Sequence, residues 1–397
     1  MPALAARIAC PPYDVVTRAE AVALAAGNPL SFLHVCRSDI DLPADTDPHD
    51  PRIYAKARQN LDLFYRDGSL LHEAEPMLYL YELTMDGRAQ TGVVGCVHVE
   101  DYDRDVIKKH EKTRKDKEDD RTRHVLTLNA HAEPVFLTHP STPFITQLNS
   151  KVTTEDPLYD FTSPDGVRNR VWRVRNTAQY TDAFRRIGVG YVADGHHRSA
   201  SASRAAAERR AANPKHTGDE EYNWFLAVFF PSNQVRILPY FRVVKDLNGQ
   251  TAEAFLAALR EVGTLTPTET PAPDRAGTFG IRVGQTWYRL VLDPATINED
   301  DPVASLDVSL LHEQILAPLL GVGDVRTDAR IDFVGGIRGI AELERRVSSG
   351  EAGAAFALHP VTVQQLMAIA DAGQIMPPKS TWFEPKLKSG LFIHSLD

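Results

Sequence analysis

The stretch Tyr191-Val192-Ala193-Asp194-Gly195-His196-His197-Arg198-Ser199-Ala200 restricts what this chain can fold into more than any other. Ile187, Val189, Tyr191 and Val192 supply apolar, β-prone positions ahead of a turn. Asp194-Gly195 is a turn pair, and glycine accepts backbone conformations that other residues resist. Residues 199–211 are mostly Ala, Arg, Glu and Ser, a good helix composition. The expected local structure is a strand, a tight turn and a helix whose first turn carries His196, His197 and Arg198. Unsatisfied N–H groups and the positive end of the helix dipole favour an anion there. Three more donors at that spot point to a phosphate, and the small residues Ser199, Ala200 and Ser201 let it approach the backbone. A structural Asp cap with surface basic residues is the plainer reading; convergence of Asp-Gly-His-His-Arg on one helix end favours a site over it. Zinc is weaker, because adjacent histidines diverge on a helix and no Cys-x-x-Cys or His-x-x-x-His accompanies them.

A chain of 397 residues has room for two or three domains. Its 43% hydrophobic and 24% charged content is that of an ordinary globular protein, and no apolar run approaches the ~20 residues of a membrane span. No signal peptide is expected, since the first ten residues lack a basic start and a full apolar segment. Cys10, Cys36 and Cys96 show no metal spacing and suggest reduced thiols in a cytoplasm. The net charge of −9 argues against a nucleic-acid surface, while a small anion in a locally positive pocket stays open.

The second informative segment runs from Lys108 to His124, with eight Lys or Arg and five Asp or Glu. Such a run reads equally as a solvated helix face or as a basic lip beside a site, with Glu111 the one carboxylate in its positive part. Elsewhere Thr17-x-x-Glu20 is a capping box opening a helix, residues 31–35 read as a strand, and residues 77–83 and 92–99 form a hairpin. Residues 224–230 are a central strand, and Pro239 marks an edge or bulge in the next one, residues 234–244. The pattern changes near residues 245–250, and residues 375–386 hold too many prolines for a helix.

Pro11-Pro12-Tyr13-Asp14, Gly27-Asn28-Pro29 with Ser31-Phe32-Leu33-His34, Ile107-Lys108-Lys109-His110-Glu111, Ala193 to Arg198, and Met376-Pro377-Pro378-Lys379-Ser380-Thr381 spread from end to end of the chain. On them it resembles the family catalogued as domain of unknown function ten-fifteen. Over residues 100–397 it also resembles the free serine kinases of the ParB/sulfiredoxin-like fold, which phosphorylate L-serine to O-phosphoserine. The resemblance implies an α+β (mixed α/β) fold: an N-terminal α/β extension at 1–99, a ParB/sulfiredoxin-like phosphate-binding core at 100–245 and a C-terminal α/β substrate domain at 246–397. It implies Glu111 as base toward the serine hydroxyl. Asp194, Gly195, His196, His197, Arg198 and Ser199 would hold the phosphoryl donor, with Asp194 also a metal ligand. Lys379, Ser380 and Thr381 would lie near the amino acid. The residues before Glu100 and the length of 140–186 depart from the short kinases, which leaves donor and acceptor open.

The chemistry is coherent with such a reading. Phosphoryl transfer asks for positioning and cancellation of charge. Arg198 offers a planar fork, His196 or His197 a donor, and Mg²⁺ on Asp194 a bridge between phosphates. Arg242, beside Tyr240 and Phe241, is a further substrate candidate, though a strand-end ion pair outweighs that reading; Asp14 and His34 are the first segment's candidates. The expectation is a cytoplasmic, magnesium-dependent kinase for a small hydroxy amino acid, using ATP, ADP or pyrophosphate, with no nucleic-acid or membrane partner and a homodimer left open. The alternatives are a ParB-like nucleotide switch, a sulfiredoxin-like activity, for which Cys96 lacks an activating partner, and a metabolite-binding protein without turnover.

Overall fold

The computed structural model describes residues 2–397, and the chain divides into two compact units, residues 1–235 with 385–397, and residues 236–384. The architecture is mixed α/β in each.

In the first unit, four helices come before any strand: α1 (Pro2–Ile8), α2 (Arg18–Ala25), α3 (Leu33–Cys36) and α4 (Pro51–Arg66). The capping box opens α2 as expected, with the Thr17 hydroxyl accepting from the Glu20 N–H at 3.2 Å and the Glu20 carboxylate accepting from the Thr17 N–H at 2.7 Å. The strand expected at residues 31–35 is instead the short helix α3. Phe32 at its N-cap, with Leu33 and Val35, packs among Ile8, Leu61, Phe64 and Leu128 in a helical cluster that offers no sheet edge to pair with. Then follow β1 (Leu78–Met85), β2 (Arg88–His98), α5 (Val99–Asp103), β3 (Ile107–Lys108), α6 (Lys115–Leu128), β4 (Ala130–His131), β5 (Val135–His139), α7 (Pro143–Val152), β6 (Tyr159–Thr162), β7 (Arg168–Val174), α8 (Thr177–Ile187), β8 (Gly190–Asp194), α9 (His196–Ala212) and β9 (Trp224–Pro231).

Eight of these strands make one mixed sheet in the order β3-β8-β5-β9-β2-β1-β7-β6, parallel at β3/β8 and β5/β9 and antiparallel elsewhere. The hairpin β1–β2 is thus part of the sheet that carries β8, and the segment before residue 100 is woven into the same unit. Val135, Leu137, Val192, Phe225 and Ala227 pack against Ala200, Ala202 and Ala206 of α9. Alanines at these positions let α9 lie close on the strands, which explains why so polar a helix has a buried face. Helix α6 runs beside it: Arg204 of α9 meets Asp119 at 2.7 Å and Glu118 at 3.3 Å. The charge run from Lys108 to His124 therefore splits into a turn carrying Glu111 and a helix that pairs with α9.

In the second unit, Pro239 breaks the expected strand into β10 (Arg236–Leu238) and β11 (Tyr240–Val244). Proline has no N–H for a ladder. After them come α10 (Ala252–Val262), β12 (Gly263–Pro267), β13 (Thr278–Val283), β14 (Thr286–Leu292), α11 (Asp307–Leu311), β15 (Ile331–Gly335), α12 (Gly339–Ser348), β16 (Ala354–Leu358), α13 (Val363–Asp371) and β17 (Trp382–Glu384). Six strands form an antiparallel sheet, β12-β14-β13-β16-β11-β15, and β10 pairs with β17. Phe241, Val243, Val334 and Ala355 pack against Leu343 and Val347 of α12 on one face.

Residues 385–397 belong to the first unit. Ser389 forms a two-hydrogen-bond bridge with Cys10, β18 (His394–Ser395) pairs with β4, and Phe392 lies against Tyr79 and Tyr81.

Candidate functional site

The site is built on the turn between β8 and α9. Tyr191, Val192 and Ala193 are buried in the sheet, and Asp194 ends the strand. Gly195 has φ 101°, a backbone conformation that favours glycine, and a Cβ placed there would sit 3.0 Å from the Arg198 guanidinium, which would have to give way. The N-cap of α9 is Gly195, which has no side chain to close the helix end, so the anion-favouring first turn begins at His196.

Glu111 comes from the turn between β3 and α6. Its Oε2 lies 3.7 Å from Nδ1 of His196, and its side chain is 45% exposed. The two pieces of chain singled out in the sequence therefore meet. His196 is 4% exposed and packs edge-on to His110, with ring centroids 4.4 Å apart. Burial pushes His196 down to about 3 and lowers His110 and His197 as well. His197 accepts the Arg114 N–H at its Nε2, 3.1 Å away, so its neutral ring carries the proton on Nδ1. Both histidines of the motif are neutral near pH 7, and positive charge comes from elsewhere.

Arg198 is buried, and its fork is turned inward rather than presented to solvent. Nη1 donates to the Pro134 carbonyl, and Nη2 stands 3.7 Å from Asp194 Oδ2. Burial opposes the charge, but Asp194, Asp14 and Glu133 hold the guanidinium protonated. Ser199, expected to face a donor, is fully buried, and its hydroxyl donates to the Gly195 carbonyl at 3.2 Å.

Asp194 meets a residue that sequence reasoning missed. Lys386 places its Nζ 3.3 Å from Asp194 Oδ2, with the lysine side chain 15% exposed. Burial alone would raise the Asp194 carboxyl, but Lys386 and Arg198 hold it well below the usual carboxylate range. Among the described residues no group of three or more His, Cys, Asp or Glu gathers to hold a metal ion. The one carboxylate expected to take Mg²⁺ already faces two cations, a donor set that does not fit a dication.

Behind Arg198, Glu133 accepts the Tyr13 N–H at 3.1 Å and the Ser389 hydroxyl at 3.0 Å. Arg121 lies 3.9 Å from Glu133 and 4.1 Å above the Tyr13 ring. Burial raises the Glu133 carboxyl against the pull of Arg198 and Arg121. A cavity of about 20 Å³, large enough for one water, is lined by Arg121, His131, Glu133 and Arg198. Asp14 is exposed and acts electrostatically on both His197 and Arg198. The Pro-Pro-Tyr-Asp segment thereby joins the site, whereas His34 does not; its Nδ1 pairs with Asp41 at 2.8 Å.

The remaining candidates belong to the second unit. Arg242 on β11 is 3% exposed, and burial lowers it to about 9. It donates to the carbonyls of Tyr240 and Pro378 and lies 5.0 Å above the Phe333 ring; among the described residues no carboxylate pairs with it. The expected strand-end ion pair is absent. Lys379 has φ 58° and its Nζ lies 5.6 Å from the Tyr240 ring centre. The Ser380 hydroxyl donates to the Pro377 carbonyl at 2.6 Å, and Thr381 is half-buried.

A family model described as "Protein of unknown function (DUF1015)" matches residues 1–309. No curated protein matches the chain. Among solved structures, a mutant free serine kinase in complex with AMP is 14% identical with a TM-score of 0.36, covering 75% of this chain and 92% of its own. A conserved hypothetical protein from Pyrococcus furiosus is 13% identical, TM-score 0.34, covering 75% and 95%. SbnI with a C-terminal truncation from Staphylococcus aureus is 12% identical, TM-score 0.37, covering 75% and 85%.

Proposed function

The chain belongs to the DUF1015 family, and from that premise we propose that it is a kinase that phosphorylates a small hydroxy amino acid, L-serine first, from ATP, ADP or pyrophosphate. The observation that carries the reading is the approach of Glu111 to His196, 3.7 Å apart, at the glycine-led N-terminus of α9. A carboxylate and an anion-favouring helix end face one place, as an acceptor hydroxyl and a phosphoryl group require. Glu111 accepts the hydroxyl proton as the serine oxygen bonds to phosphorus and the bond to the leaving phosphate breaks. The leading N–H groups of α9 and Nδ1 of His197 donate to phosphate oxygens. Asp194 keeps Arg198 and Lys386 in register at the turn. In the second unit, Lys379, Ser380, Thr381 and Arg242 are kept as candidates for an acidic small molecule, because two cations stand beside Tyr240 and, among the described residues, no carboxylate pairs with Arg242.

Purified protein incubated with L-serine and each donor in turn should yield O-phosphoserine by ³¹P NMR. Glu111→Gln should cut turnover by about 10²–10⁴-fold while donor binding is retained. Unchanged turnover removes Glu111 from the reaction; absence of product with every donor, in folded protein, ends the kinase reading.

A further inference from the structure

The tail residues 385–397 bring a lysine to the one place where a dication was expected. Lys386 Nζ stands 3.3 Å from Asp194 Oδ2, and Arg198 stands 3.7 Å from the same oxygen. The tail that carries the lysine is anchored by the paired backbone hydrogen bonds of Ser389 with Cys10 and by the Ser389 hydroxyl on Glu133. At the same turn, the buried Nε2 of His196 has no hydrogen-bond partner among the described residues. A polar atom withdrawn from water without a partner is costly, and a phosphate oxygen could accept from it in the tautomer that carries the proton on Nε2.

We propose that Lys386 is a ligand-binding residue of the site: its ammonium meets the oxygens of a di- or triphosphate beside Asp194 and supplies there the charge otherwise expected from a metal ion. The proposal rests on reading the β8–α9 turn as a polyphosphate site. Asp194 is then the residue that holds two cations in place, not a metal ligand. A dication arriving at Asp194 would have to displace an ammonium and a guanidinium that it repels, whereas a phosphate meets two cations against one carboxylate, a net positive charge. Lysine suits the role as a compact charge on a flexible stem.

The test uses the full-length protein and inorganic pyrophosphate, with binding read by titration calorimetry and no acceptor present. In excess EDTA the wild type should bind, Lys386→Met should bind at least tenfold more weakly, and Lys386→Arg should recover most of the affinity. Thermal melts of both variants separate loss of binding from loss of fold. The wild-type measurement in EDTA needs no variant. Binding by the wild type only when Mg²⁺ is restored overturns the proposal, as does a folded Lys386→Met with wild-type affinity, or no binding under either condition. Pyrophosphate binding that depends on Lys386, in a protein that makes no O-phosphoserine, would leave this inference standing while the kinase reading falls.

Discussion

At the residue scale, Gly195 controls the geometry of its neighbours more than it contacts anything itself. A methyl group there would be forced into a left-handed backbone and would press on the Arg198 guanidinium at 3.0 Å. Gly195→Ala should cost about 1–2 kcal/mol in backbone strain and displace Arg198 from Asp194, which a urea midpoint and pyrophosphate affinity would both register. A variant with wild-type stability and affinity would show that the turn tolerates another conformation. The residues of this turn were readable in sequence because strand, turn glycine and cationic cluster are contiguous. The place of Glu111 beside this turn was half legible: its charge run reads equally as a solvated face or as a basic lip, and only the resemblance implies a base there. Lys386 was not readable at all. It lies 192 positions from Asp194, and sequence weight fell on Lys379 in the more distinctive Pro-Pro-Lys-Ser-Thr run. The inward turn of Arg198 was hidden too, because its partner is the backbone carbonyl of Pro134, which no pattern marks.

At the scale of elements, local signals succeeded where the cause was local. The Thr17–Glu20 box opened α2, and Pro239 interrupted its strand. They failed at residues 31–35, where β-prone residues are packed into a helical cluster and tertiary context overrides propensity. The tail shows the same limit, since its return to the first unit depends on distant partners. Phe392 is the apolar anchor of that return, with its ring centroid 5.3 Å from Tyr79 and 5.7 Å from Tyr81. Phe392→Ala should destabilise the protein by about 3–5 kcal/mol and speed amide hydrogen exchange across residues 386–396, with Phe392→Leu milder. Unchanged exchange in the tail would mean that the Cys10–Ser389 bridge and the Lys386–Asp194 pair hold it without the ring.

For the whole molecule, the strongest consequence of the interior is its response to acid. Burial lowers six histidines, His110, His124, His131, His139, His196 and His197, with His124, His131 and His196 each brought to about 3. As pH falls through about 6.5, the ordinary value of histidine, the unfolded chain takes up protons that the folded chain refuses. The stability associated with these neutral rings is fully present above that pH and is lost below it. For the three rings brought to about 3, the slope is about 1.4 kcal/mol per pH unit each, or about 4 kcal/mol together. His34 works the other way: its hydrogen bond to Asp41 raises it, so its contribution is present below about 6.5 and fades as pH rises through the folded value. One exposed-side pair does not offset six lowered histidines. Asp194, held low by Lys386 and Arg198 against its burial, extends the loss to still lower pH. Acid below about pH 6.5 therefore erodes a native stability of only roughly 5–15 kcal/mol. Urea midpoints should be level from pH 8 to 7 and fall steeply below 6.5, and a midpoint that holds steady to pH 5 would mean that these rings are hydrated, not sealed in the interior.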